Sequence, residues 1–176
     1  GGNQIMTRRL TGGKWSPVET AGDKPGDIFV VKMGRDKRGR EWLIWSEQIE
    51  GNFDLYGKYR EGGGWSRRER LTTAPQPDME HALASDAAGN LWVVWQGFRD
   101  GKSSIFARRY DGSSWSAEEK VSTSPANDWA PAIAADGSGA VYVAWDSYDK
   151  GNYDVLMRRW SGGKWGEVVP VADTPK

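Results

Sequence analysis

Acid–base chemistry near neutral pH is concentrated at one place in this sequence, Asp78-Met79-Glu80-His81, where the only histidine follows a carboxylate. Histidine titrates close to neutrality, and a neighbouring carboxylate stabilises its charged form, so Glu80 and His81 are a candidate acid–base or ligand-holding pair. A second group of residues sets acids beside rings: Phe98, Arg99 and Asp100 in segment 96–102, and Asp146, Tyr148 and Asp149 in segment 146–152. Glu47 and Glu50 lie in the related segment 46–52. Carboxylates accept hydroxyl hydrogen bonds and aromatic rings cover apolar faces, which suits a sugar and equally a basic peptide. Asp78 and Trp129, at the start of two further strands, complete the candidate ligand-binding set. Asp128, Asp146 and Asp149 would give a calcium ion three oxygens, short of the roughly six to eight it takes and without a calcium-loop spacing. Zero Cys excludes thiol catalysis, disulfides and thiolate metal sites, and one His excludes a multi-histidine centre. No cofactor is expected.

What must position these residues is a repeat. Trp15, Trp65, Trp115 and Trp165 are spaced by 50, as are Trp45, Trp95 and Trp145. The same step links Pro25, Pro75, Pro125 and Pro175; Asp36, Asp86 and Asp136; Gly39, Gly89 and Gly139; and the cations Arg8, Lys58, Arg108 and Arg158. Within a unit the pattern is of short β runs divided by turn residues, with no helical periodicity. In the best-defined unit the strands are predicted at 81–85 (A), 91–96 (B), 103–110 (C) and 115–123 (D). Four strands in about 50 residues is a propeller blade. Strand B is apolar on both parities, through Trp92 and Val94 one way and Val93 and Trp95 the other, so both its faces must be covered, as stacked blades cover a central strand. The turn before it, Asp86-Ala87-Ala88-Gly89, joins an Asp able to bond turn backbone to a Gly free to take positive φ.

The fold class is therefore all-β, a β-propeller segment of about three and a half four-stranded blades: a half blade (C and D) at 1–26, then blades at 27–77, 78–127 and 128–176. Propellers close with roughly 4 to 8 blades, because an open end exposes strand edges and a sheet face. Two chains of this content would leave two C–D halves that do not make a blade. The expectation is an incomplete ring, completed by the remaining blades of a longer polypeptide or by self-association. The tryptophan columns are expected in blade-to-blade core. The cation column is expected to pair with a nearby carboxylate or carbonyl.

The segments Arg70-Leu71-Thr72-Thr73, Ala84-Ser85-Asp86-x-x-Gly89-Asn90-Leu91-Trp92 and Ser104-Ile105-Phe106 resemble repeats of TolB-like propellers of bacterial envelope and secreted proteins. Asp149-x-Gly151-Asn152-x-Asp154-Val155 is similar. The likeness implies a periplasmic or secreted setting and a scaffold rather than a particular activity. A more distant likeness is to sialidase Asp-boxes, where one residue separates Asp from Gly; here two intervene, and in the central-facing loops Arg99 stands alone where sialidases use an arginine cluster.

Equal numbers of Lys+Arg and Asp+Glu, 24 each, argue against nucleic-acid binding, and the longest apolar runs, such as 91–95, are too short to span a bilayer. The reading is a tryptophan-rich, non-catalytic scaffold that binds a protein, peptide or carbohydrate ligand on its variable loop face. The alternative is the propeller portion of a hydrolase: a sialidase-like glycosidase, or the gating propeller of a serine peptidase whose catalytic domain lies elsewhere.

Overall fold

In the computed structural model the chain is all-β, and residues 2–149 and 151–172 are described. Pro175, the last of the proline series, and the end of the 128–176 unit lie outside them. The N-terminal part forms two small pairs: β1 (Met6–Thr7) with β4 (Glu19–Thr20), and β2 (Leu10–Thr11) with β3 (Lys14–Trp15). Three antiparallel sheets follow. The first is β5 (Asp27–Arg35), β6 (Glu41–Ile49) and β7 (Asn52–Glu61), with an interrupted outer strand, β8 (Gly64–Trp65) and β9 (Glu69–Arg70), both on β7. The second is β10 (Asp78–Ser85), β11 (Leu91–Arg99), β12 (Lys102–Tyr110) and β13 (Glu119–Lys120); the third is β14 (Asn127–Ala135), β15 (Val141–Asp149), β16 (Asn152–Ser161) and β17 (Lys164–Ala172). The chain is a β-propeller segment.

The core lies between sheets, as a strand apolar on both parities requires. Trp42 and Ile44 of β6 pack with Leu91, Val93 and Trp95 of β11, while Trp92 and Val94 on the other side of β11 pack with Val141, Val143 and Trp145 of β15. Leu43 and Trp45 turn the other way, onto Ile5 and Ala21. Each buried indole removes about 150–250 Å² from water, which makes these columns the main apolar mass of the fold.

The column Trp15, Trp65, Trp115 and Trp165 behaves differently from the interior expectation. Trp115 and Trp165 are half-buried lids that lie edge-on to Trp42 and Trp92 of the preceding sheet, with centroids 5.5 and 6.0 Å apart, and Trp15 is exposed.

The Asp–Gly turns are built as the spacing predicts. Asp36 accepts from the backbone N–H groups of Arg38 and Arg40, and Gly39 takes a φ of 76°. The second carboxylate oxygen of each turn Asp also reaches the next strand: Trp42 donates to Asp36 and Trp92 to Asp86, each at 2.9 Å, and the Tyr142 hydroxyl donates to Asp136 at 3.0 Å. Burial opposes ionisation of Asp36, but donation from Trp42 and Arg40 outweighs it and holds the carboxyl below its ordinary value.

The cation column does not meet these aspartates. Lys58 donates to the Ala21 carbonyl at 2.8 Å and to Asp23, Arg108 to the Leu71 carbonyl, and Arg158 to the Val121 carbonyl at 2.9 Å. Each clamps its sheet to the outer strand of the preceding unit.

Candidate ligand site

The segments read as variable loops are mostly strand. β11 runs on to Arg99 and β12 begins at Lys102, so the connection between them is the two-residue turn Asp100-Gly101. Asp100 sits at its tip with a φ of 53°, beside Gly101 at 79°, the geometry in which Asp-Gly closes a hairpin. The consequence is alternation: neighbouring candidates on one strand project from opposite faces.

The start of each inner strand carries a bulge. Val30, Glu80 and Ala130 have φ values of 47°, 43° and 48°, and the ladder to the next strand slips there in all three sheets. This recurring irregularity re-aims the residue that follows. In the second sheet it turns His81 inward, where the side chain is buried and its Nε2–H donates to the Ile44 carbonyl at 2.9 Å. Burial pushes its pKa down to about 4, so the ring is neutral at physiological pH. Glu80 makes no bond to it. The expected Glu80–His81 pair is thus not assembled: desolvation, and not a neighbouring carboxylate, sets the charge on His81.

Asp78 is fully buried, accepting from Trp95 Nε1 at 2.9 Å and pairing with Arg99 at 2.9 Å. Burial pushes its pKa up to about 6 against the opposing effects of the Arg99 charge and the Trp95 hydrogen bond. Arg99 also lies over the Phe106 ring, 4.8 Å from its centroid, and within 3.5 Å of Glu118. Gly97 makes room for this cluster, since a Cβ there would come within 2.5 Å of the Asp78 carboxylate. Phe98 projects to solvent.

The third sheet brings its candidates together in the open. Trp129 of β14, Tyr148 of β15 and Tyr153 of β16 have ring centroids 6.3, 6.0 and 4.7 Å apart. Tyr148 and Tyr153 are direct cross-strand partners, and Trp129 is opposite Asp146. Tyr148 is 39% exposed and Tyr153 64%. Asp146 is exposed, and neither it nor Asp149 forms an ion pair among the described residues. Asp154 accepts from Asn152 at 3.0 Å. The arrangement is a three-ring platform with Asp146 on its face, while Asp149 and Asp154, each next in sequence to a platform tyrosine, project from the other face. Tyr153 was absent from the residues singled out by sequence; continuing the hairpin from Tyr148 through the turn at Gly151 places it opposite, and that register was the available signal.

No family model matches this chain, and no curated protein matches it. Solved structures do. An endo-arabinase from Bacteroides thetaiotaomicron aligns with 18% identity and a TM-score of 0.54, over 89% of this chain and 69% of the arabinase. TolB from Acinetobacter baumannii aligns with 15% identity and a TM-score of 0.61, over 97% of this chain and 41% of TolB. A fucose lectin from Kordia zhangzhouensis, solved with methyl-fucoside, aligns with 17% identity and a TM-score of 0.52, over 82% of this chain and the whole of the lectin. At these identities the likeness is one of fold. Among the described residues no helix is long and apolar enough to cross a membrane.

Proposed function

We propose that this propeller segment is a glycan-recognition module whose binding surface is the Trp129–Tyr148–Tyr153 platform. The observation that carries the reading is the contact of two exposed rings, Tyr148 and Tyr153, with the half-buried ring of Trp129, with Asp146 on the same face. Rings of this kind cover the C–H face of a pyranose, and free carboxylates accept from its hydroxyls. The Asp146 carboxylate disfavours uronic acids and sulfated sugars by like charge, so the ligand class is a neutral oligosaccharide. Recognition is non-covalent, on a rigid scaffold. The repeat resemblance to TolB-like propellers supports a periplasmic or secreted setting, and the fucose-lectin and arabinase folds are in keeping with carbohydrate recognition by this architecture.

The test is an array of neutral and acidic glycans followed by titration of the best neutral binder. Trp129→Ala and Tyr153→Ala are each expected to weaken binding at least about tenfold, while Phe98→Ala on the second sheet leaves it intact. A blank array with folded protein would refute the reading, and release of cleaved product from a bound oligosaccharide would assign the platform to a hydrolase instead.

A further inference from the structure

The chain builds one sheet-to-sheet contact twice, and the parts for a third occurrence lie at its two ends. Trp42 of the first sheet receives Tyr110 and Trp115 of the second at 4.9 and 5.5 Å. Fifty residues on, Trp92 receives Trp160 and Trp165 of the third at 5.0 and 6.0 Å. In each case the two incoming rings are cross-strand partners, Tyr110 with Trp115 and Trp160 with Trp165. The next receiving position is Tyr142, whose only ring contact among the described residues is with Arg159 of its own sheet, 5.7 Å away. The next incoming pair is Leu10 and Trp15, themselves partners across β2 and β3, and they are 55% and 59% exposed.

The cation clamps continue the same series. Lys58, Arg108 and Arg158 reach the carbonyls of Ala21, Leu71 and Val121, each 37 residues earlier in the chain. Val171 is the following acceptor in that column, on the exposed outer strand β17. Arg8 is the unmatched donor. Its Nε is bound to the Ser16 carbonyl, as those of Arg108 and Arg158 are to Ser116 and Gly166, and its terminal nitrogens meet no carbonyl among the described residues. One departure is instructive. Glu69 and Glu119 accept the indole N–H groups of Trp115 and Trp165, whereas the corresponding residue here is Val169, so the Trp15 N–H would stay at the rim of the contact.

We infer that the open face of the third sheet is a docking surface for a second copy of this chain, entered by its β2–β3 hairpin. Trp15 and Leu10 of one copy pack on Tyr142 of the other, and Arg8 donates to the Val171 carbonyl. The occupant is argued from continuity with the two contacts already built. The surfaces differ on the two partners, so association is head-to-tail and leads to a ring or an open chain of copies. Tyr142 and Tyr148 lie at opposite ends of β15, so the hairpin contact and the ligand platform are separate places on the sheet.

Light scattering on the 176-residue chain over about 1–100 µM tests this, that range spanning weak to moderate protein–protein affinities. The expected result is association at twice the monomer mass or more. Trp15→Ala and Val171→Arg, both at exposed sites and both checked for an unchanged unfolding transition, should each weaken it about thirtyfold or more. Mixing the two variants should restore a complex, because the first keeps the receiving face and the second keeps the hairpin. A monomer throughout the range, association unaffected by either change, or a mixture that stays monomeric would each overturn the proposal.

Discussion

The second and third sheets end in the same anchor and then diverge. In both, a buried Asp at the start of the inner strand accepts the indole N–H of a tryptophan on the adjacent strand: Asp78 from Trp95 at 2.9 Å and Asp128 from Trp145 at 3.0 Å. Around that shared bond the second sheet carries Met79, Phe98, Arg99 and Ser103, where the third carries Trp129, Tyr148, Asp149 and Tyr153. Arg99 closes the second edge by pairing with Asp78, and Ser103 fits beneath the next sheet. On the third edge Asp146 and Asp149 form no ion pair among the described residues, and Tyr148 and Tyr153 are exposed beside the half-buried Trp129. The repeat fixes the anchor and leaves neighbouring positions free to differ, and among the described residues no sheet covers the third corner as the third sheet covers the second.

The largest effect should come from removing the closed corner's carboxylate. Asp78→Ala leaves the Trp95 N–H without its acceptor and Arg99 with only the Phe98 carbonyl and the more distant Glu118, and removing one partner of a largely buried pair in this way costs about 3–5 kcal/mol. Asp128→Ala strands the Trp145 N–H and the Ser124 hydroxyl but no cation among the described residues, and should cost only about 1–3 kcal/mol. Urea unfolding of both variants decides whether Arg99 accounts for the difference; equal losses would mean that it does not.

The pH response separates the corner from the bulge beside it. His81 titrates near 6.5 when unfolded and about 4 when folded, so its contribution is full above pH 6.5 and is lost as pH falls toward 4. Asp78 has the opposite sign. Its pKa rises from 3.8 to about 6 on folding, so its contribution is full below 3.8 and is lost as pH rises through 6. Each is worth about 3 kcal/mol at most, and between pH 6 and 4 they oppose each other. Relative to the parent, His81→Gln, which keeps a donor for the Ile44 carbonyl, should gain stability as pH falls across that window, and Asp78→Asn should lose it. Chemical denaturation at half-unit pH steps reads both, and parallel curves would show that neither group titrates in the folded range assigned to it.

Much of this architecture is legible in the sequence because it recurs. The 50-residue step, the two-faced apolar strand and the Asp–Gly turn each rest on local chemistry repeated in register, so coincidence is a poor competitor. The acceptors of the cation column were not legible, because a carbonyl 37 residues back leaves no trace in residue type. The length of the hairpin strands was missed for a related reason. Polar and acidic residues at 96–99 and 146–149 read as loop, yet they extend the ladder into a two-residue turn. His81 shows the limit most clearly: its type suggested chemistry, while the bulge that buries it is marked only by a backbone angle shared with Val30 and Ala130.

Tyr153→Ala should have the smallest effect on stability and the most selective effect on function. The ring is 64% exposed and its ring contacts among the described residues are with Tyr148 and Trp129, so its removal should shift unfolding by no more than about 0.5 kcal/mol. Truncating a ring of an aromatic platform nevertheless removes stacking area that no neighbour replaces, and binding of a neutral oligosaccharide should fall at least about tenfold. Ser103→Tyr in the second sheet is the converse test. Ser103 is buried and its hydroxyl donates to the Asp128 carbonyl, so a ring there must displace the third sheet rather than extend a platform, and stability should drop without any gain in binding. If Ser103→Tyr were tolerated and bound sugar, the openness of the third face would not be what distinguishes the two corners.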